Sequence, residues 1–352
     1  MAKSVFKGIE IKGVAGAVPK EKVDHLTDHQ FIPPEDRKKI VALTGVLEYR
    51  KAGPELCASD LCRAAAESLL QGLQVDPRTI DALILSTMTP DYRVPSTACL
   101  LQERLKLPNT TVAFDINMGC SGFVVGLYNA AALIQGAGLK RVLLLAGDTQ
   151  TKLCYERDKN VVFLLGDAGT ATLLEASEGA EDIVIELMTD GGRFNNLFVP
   201  AGGFRRPSTE QTREVKEQPD GGLRSEEHLY MNGMEIFKFS STDVVKSIAA
   251  FIEKEHLSVD RIDALFLHQA NKFMNDKIAK KLQFPPEKVP YSIGIYGNTG
   301  SASIPLTLAH HYSKIPPVEK NKVLLSGFGV GLSWGVAFAE LNRIYCPPVI
   351  EC

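Results

Sequence analysis

No run of the chain approaches the roughly 18 consecutive apolar residues that a membrane-spanning helix needs. The opening stretch Met-Ala-Lys-Ser-Val-Phe-Lys-Gly also lacks the basic, then apolar, then small-residue order of a secretory signal. A cytoplasmic protein with no membrane partner is therefore expected. An excess of one charge is missing too: 39 Lys and Arg face 42 Asp and Glu, a net of −3, so nucleic acid is not expected as a partner. Cysteines are few and odd in number, seven in all, at 57, 62, 99, 120, 154, 346 and 352. That scatter argues against a disulfide framework. Cys57 and Cys62 have no second pair to complete a zinc set, so no structural metal is expected.

What is present is ample apolar material, 45% of 352 residues, enough for two domains or one large duplicated one. Residues 3–18 read as a strand ending near Gly16 and Pro19. A polar loop to Asp36 follows, then a helical run Arg37–Leu43 and a strongly helical stretch from Ser59 to Leu73. Strand Ile80–Leu85, helix Ser96–Leu105, strand Val112–Ile116, helix Ser121–Gln135 and strand Arg141–Ala146 then alternate in the manner of a sheet covered by helices.

The second half repeats the first. Ile80-Asp81-Ala82-Leu83-Ile84-Leu85 recurs as Ile262-Asp263-Ala264-Leu265-Phe266-Leu267, and Arg141-Val142-Leu143-Leu144 recurs as Lys322-Val323-Leu324-Leu325. The two spacings are nearly equal, which points to a duplicated unit with halves 1–182 and 183–352. Residues 190–230 lack periodicity and read as a long loop.

Three residues in this register are candidates for chemistry. Cys120 stands where the strand ending at Ile116 turns through Asn117 and Gly119 into a helix. The free N–H groups of a helix start favour a thiolate there. In the duplicated register Cys120 falls opposite Ala302, within a second Gly-rich turn that opens a helix, so two helix N-termini are expected at one site. His268 directly follows the repeated strand, at the carboxyl end where α/β sheets place ligand sites. Asn298 sits in the turn Gly297-Asn298-Thr299-Gly300-Ser301.

The segments Asp115-Ile116-Asn117-Met118-Gly119-Cys120-Ser121-Gly122-Phe123, His268-Gln269-Ala270-Asn271, Gly297–Ser303 and Gly327-Phe328-Gly329-Val330-Gly331-Leu332-Ser333-Trp334-Gly335 closely resemble the β-ketoacyl-[acyl carrier protein] synthase III family of thiolase-fold condensing enzymes. The resemblance runs from about Lys7 to Leu341. It implies a thiolase-like α/β fold of duplicated βαβαβ halves in five αβαβα layers, working as a homodimer. It also implies decarboxylative Claisen condensation of an acyl thioester with malonyl-[acyl carrier protein], initiating fatty acid chains. Cys120, His268 and Asn298 would then be the triad, with the backbone N–H groups of Cys120 and Val330 holding the oxyanion. Lys238, Lys280, Lys281 and Lys159 would meet acyl carrier protein or coenzyme A. The substrates would be acyl-CoA or carrier-protein thioesters, with no metal or redox cofactor.

The chain departs from that pattern where many members bind coenzyme A. Lys39 and Leu43 replace a Trp and an Arg that sandwich the adenine, Phe273 replaces an Arg, and Lys159 replaces another. This favours a non-acetyl starter or one delivered on a carrier. A specialised condensing enzyme or acyltransferase of secondary metabolism or surface-glycan biosynthesis therefore stays open. Cys-His-Asn in that chain order also describes papain-type hydrolases, though no Trp stands beside Cys120. A thiolase would want a second catalytic cysteine, and Cys346 lies outside any Gly-rich turn.

Overall fold

The computed structural model describes residues 2–315 and 319–352. The first half of the chain supplies β1 (Ala2–Phe6), β2 (Ile9–Val18), α1 (Pro34–Thr44), α2 (Ala58–Gly72), β3 (Ala82–Ser86), α3 (Thr97–Arg104), β4 (Val112–Ile116), α4 (Gly122–Ala137), β5 (Arg141–Thr149) and β6 (Asp167–Ala176). The second supplies β7 (Ile183–Thr189), α5 (Gly233–Phe239), α6 (Val245–Lys254), β8 (Ala264–Leu267), α7 (Lys272–Lys281), α8 (Ser303–Tyr312), β9 (Asn321–Gly329), β10 (Ser333–Leu341) and β11 (Ile350–Glu351).

Two mixed sheets result, ordered β11-β2-β6-β5-β3-β4 and β1-β7-β10-β9-β8. The repeated segments occupy equivalent places. In one sheet β3 lies parallel to β5, and β5 runs antiparallel to β6. In the other β8 lies parallel to β9, and β9 runs antiparallel to β10.

The layering follows from side chains that alternate along strands buried on both faces. Ala82, Ile84, Val142 and Leu144 of the first sheet face inward, as do Ala264, Phe266, Val323 and Leu325 of the second. All of them meet α4 and α8 in one core. Leu83, Leu85, Leu143 and Leu145 point the other way, onto α2 and α3. Leu265, Leu267 and Leu324 point onto α6 and α7. Helices outside, sheet, helices between, sheet and helices outside give the αβαβα stack expected of the thiolase type. The sequence of α4, Gly-Phe-Val-Val-Gly-Leu-Tyr-Asn-Ala-Ala-Ala-Leu-Ile-Gln-Gly-Ala, is apolar nearly all round because it packs against sheets on two sides.

Three expectations need correction. Residues 3–18 are two strands, not one: Gly8, at φ +64°, breaks the run, so that β1 pairs with β7 of the other sheet. At the other end β11 returns to pair with β2. The halves thus exchange their terminal segments, and a division at residue 182 does not separate two self-contained sheets. Residues 190–230 are not a plain loop. They hold a 3-10 turn (Gly191–Asn196), a short helix (Glu210–Arg213) and two small ladders, pairing 197–198 with 230–231 and 216–217 with 223–224. This excursion is tied down by Arg224, which donates to Asp158 (3.2 Å) and Asp220 (2.5 Å) with its guanidinium over Tyr230.

Leu127 of α4 is fully buried in the core shared by both sheets. Leu127→Ala should lower unfolding free energy by about 2–5 kcal/mol, read as a lower urea midpoint at unchanged slope.

Candidate active site

The turn between β4 and α4 places Cys120 two residues before the helix, buried, in the lining of a pocket of about 60 Å³. His268, immediately after β8, and Asn298 line the same pocket, as do Gly329 and Val330 from the end of β9 and the turn after it. Leu164, Leu197, Leu229, Ile236 and Met274 make most of the remaining wall apolar.

Each polar group is held by its own local contact. His268 is buried, and its Nδ1 lies 2.7 Å from Ser303 Oγ at the start of α8, which leaves Nε2 as the ring nitrogen able to serve a ligand. Phe328 packs edge-on against the ring at 5.5 Å. Burial pushes the His268 pKa down to about 3, with the Gly300 carbonyl acting the other way, so the ring is neutral. Asn298 Oδ1 accepts from the Gly300 N–H (3.0 Å), and its carbonyl accepts from the Gly166 N–H (2.9 Å) and Gln150 Nε2 (3.0 Å). The Asn298 Nδ2 hydrogens are then the ones left for the pocket.

The backbone N–H groups of Val330 and of Cys120 itself both reach toward the Cys120 sulfur. This approach depends on Gly329, where a Cβ would fall 2.6 Å from Cys120 Sγ. Ser121 and Ser333 share a 2.5 Å hydroxyl contact, and Ser333 Oγ donates to the Val330 carbonyl (2.8 Å). The start of α4 is thereby tied to the turn that carries Val330. The turn Gly300–Ala302 ahead of α8 packs against α4, so two helix starts do meet here.

One electrostatic expectation fails. Burial pushes the Cys120 thiol up to about 11, and the Val330 and Cys120 N–H groups oppose that shift without overcoming it. The sulfur is a thiol at neutral pH, because two backbone dipoles do not replace the water that burial removes. Ser303 and Gln150 escaped the sequence reading. Ser303 lay within a quoted motif, but a hydroxyl carries no sign of which ring it will meet.

The lysines divide. Lys238 on α5 and Lys280 near the end of α7 are exposed, while Lys281 Nζ donates to the Ser241 carbonyl (2.7 Å), bringing the end of α7 to the α5–α6 junction. Lys159 lies against the hairpin turn at Gly221, where a Cβ would be 3.3 Å from its Nζ. On α1, Lys39 pairs with Asp36 at 3.3 Å and Leu43 is exposed. Phe273 stacks on Phe237 with ring centroids 5.5 Å apart. Cys346 packs against the central core beside Val14 and lies outside the pocket lining.

Comparison with known proteins bears on this arrangement. Residues 114–191 match the family model of 3-oxoacyl-[acyl-carrier-protein] synthase III, and residues 252–341 match that of its C-terminal part. A β-ketoacyl-[acyl-carrier-protein] synthase III of Streptococcus equi subsp. zooepidemicus is 36% identical over 91% of this chain and 98% of its own. A putative 3-oxoacyl-[acyl-carrier-protein] synthase 3 of Campylobacter jejuni is 32% identical over 99% of this chain and 98% of its own. The crystal structure of a 3-oxoacyl-(acyl-carrier protein) synthase from Burkholderia xenovorans superposes with a TM-score of 0.94 at 38% identity, covering 100% of this chain and 99% of that one. With the fold, the pocket and these similarities in agreement over nearly its whole length, the chain belongs to the 3-oxoacyl-[acyl-carrier-protein] synthase III family of thiolase-fold condensing enzymes.

Proposed function

We propose that this chain is a 3-oxoacyl-[acyl-carrier-protein] synthase III, an acyl-transferring condensing enzyme that starts fatty acid chains. The observation that carries the reading is one apolar pocket lined by Cys120, His268 and Asn298, with the Val330 N–H at the sulfur.

Cys120 attacks the carbonyl of an acyl thioester, and the oxyanion that develops is met by the N–H groups of Cys120 and Val330. Each such donor is worth about 3–4 kcal/mol of transition-state stabilisation. The C–S bond to the departing thiol breaks, and the proton lost by Cys120 ends on that thiol. A malonyl thioester then enters and loses carbon dioxide. His268 Nε2–H and Asn298 Nδ2–H donate to the thioester oxygen as it becomes an enolate. The tautomer this requires is the one in which Ser303 Oγ–H donates to His268 Nδ1. The enolate carbon attacks the acyl-Cys120 carbonyl, the 3-oxoacyl thioester leaves, and the released thiolate takes up one proton. The reaction so written needs no metal or redox cofactor, and both substrates are thioesters of the kind found in the cytoplasm. No helix among the described residues is long and apolar enough to cross a membrane.

The starter comes on a carrier protein in preference to coenzyme A. Lys39 and Leu43 on α1 and Phe273 on α7 offer no planar cation or indole to stack an adenine. Lys238 and Lys280, exposed on α5 and near the end of α7, suit an acidic carrier. The working unit is a homodimer. β4 is an edge strand of its sheet, and the apolar side chains Val112, Tyr92, Val94 and Phe204 are exposed.

Incubation with an acyl thioester should add one acyl mass to the wild-type protein and none to Cys120→Ala. Asn298→Ala should still take up the acyl group but release carbon dioxide from malonyl thioester at least about a hundredfold more slowly. Wild-type turnover by Asn298→Ala would overturn the assignment. With the thiol near 11, alkylation of Cys120 by iodoacetamide, followed by peptide mass spectrometry, should accelerate about tenfold per pH unit between about pH 7 and 10. A plateau near neutral pH would contradict it. The double reversal Lys238→Glu, Lys280→Glu should raise KM for malonyl carrier protein and leave KM for a malonyl pantetheine thioester unchanged.

A further inference from the structure

β5 carries a carboxylate to which the chemistry above assigns no role. Asp148 stands one residue from the end of that strand and is fully buried. Its acceptor sites are filled by four neutral donors drawn from two separate turns. Oδ1 accepts from the Met88 N–H (2.7 Å) and Thr87 Oγ1 (3.2 Å), in the segment that follows β3. Oδ2 accepts from the Ser301 N–H (2.9 Å) and Ser301 Oγ (2.7 Å), in the turn that follows Asn298.

Both turns belong to the pocket. Met88 lines it beside Cys120. Ser301 is the neighbour of Gly300, whose N–H fixes Asn298 Oδ1 and whose carbonyl faces the His268 ring. Gln150, two residues beyond Asp148, holds the Asn298 carbonyl from the same strand end. The turn is pressed onto these two side chains. Gly300 has φ +59°, and a Cβ there would lie 2.5 Å from Asp148 Oδ2 and 2.9 Å from Gln150 Nε2. Only a carboxylate has the acceptors for all four donors, because an amide would turn its NH₂ toward one pair of them. Burial pushes the Asp148 pKa up to about 6 against the pull of those donors.

We propose that Asp148 is a positioning residue for the malonyl half-reaction: its carboxylate clamps the Asn298–Ser301 turn of the second half to the Thr87–Met88 turn of the first, and so sets where the Asn298 amide stands relative to Cys120. This rests on the reading of Asn298 as a donor to the enolate. Acylation does not need the clamp to hold its donors, because the Cys120 and Val330 N–H groups are held by the separate Ser121–Ser333–Val330 contacts, and the Asp148 charge itself works against a Cys120 thiolate, so losing it does not slow acylation. Decarboxylation does depend on it, since a donor displaced by about 1 Å loses on the order of a hundredfold in rate.

The test compares wild type, Asp148→Asn, Asn298→Ala and the double variant in two assays: acyl mass gained by Cys120, and carbon dioxide released from a malonyl pantetheine thioester. Asp148→Asn should acylate no more than about twofold more slowly than wild type and release carbon dioxide about ten- to a hundredfold more slowly, in kcat more than in KM. The double variant should be no slower than Asn298→Ala alone, because the clamp acts only through that amide. Ser301→Ala removes one donor without touching the buried carboxylate. It should show a smaller split in the same direction, which keeps the test in hand if Asp148→Asn folds poorly. Equal losses in both assays, losses that add to those of Asn298→Ala, or an unchanged release rate in both Asp148→Asn and Ser301→Ala would each overturn the positioning role. If Asn298→Ala itself released carbon dioxide at the wild-type rate, the reading of the site would fall first and the clamp with it.

Discussion

The approach of α4 to the end of β9 is the constraint on which the rest of the structure depends. Cys120 reaches a donor from the opposite half only because residue 329 has no side chain, where one would overlap the sulfur. Residue 327 repeats the condition, since a Cβ there would lie 2.9 Å from the Cys120 carbonyl oxygen. With the helix seated on that sheet end, its apolar surface fills the space between the sheets, and the two strand systems settle on it from both sides. Ser121 and Ser333 then close the seam through hydroxyls too short to reach farther than their own turns. The site is therefore a property of the interface between two similar halves, and neither half alone contains it.

Legibility from sequence followed periodicity. β4 was legible residue for residue, and α4 nearly so, because an apolar run between a turn and a glycine leaves few alternatives. The duplication was visible because β3 and β8 bury both faces and must keep their branched and aliphatic residues in phase. The break at Gly8 was not visible. Two strands of like composition in succession look like one, and only a pairing partner far along the chain, at Ile183–Leu187, distinguishes them. The excursion at 190–230 was opaque for a different reason. Its ladders are two residues long, and its main fastening is Arg224 against Asp158 and Asp220, a long-range charge arrangement with no local pattern.

At the site, Cys120, His268 and Asn298 stood out because each follows a strand or sits in a glycine-rich turn. Their supports did not stand out. Asp148 lies in Arg-Val-Leu-Leu-Leu-Ala-Gly-Asp-Thr, where a single acid in an otherwise apolar strand was the available signal. The protonation state of the sulfur was also beyond reach, because a helix start and burial act in opposite senses and only coordinates weigh them. Here burial prevails.

That balance bears on how the pocket handles charge. None of its described lining residues is a lysine, arginine, aspartate or glutamate, and its one imidazole is held neutral by burial. A fixed cation there would grip the malonyl carboxylate in the ground state, where its charge is localised, and would lose that grip as carbon dioxide departs. Such binding slows the chemical step, since only interactions that strengthen toward the transition state accelerate it. On the proposed reading, amide and imidazole N–H dipoles at the thioester oxygen would behave oppositely, holding the neutral carbonyl weakly and the enolate strongly, in a medium too apolar to screen either. A sulfur kept as a thiol fits the same pattern: burial leaves no standing negative charge at Cys120 to repel a malonyl carboxylate.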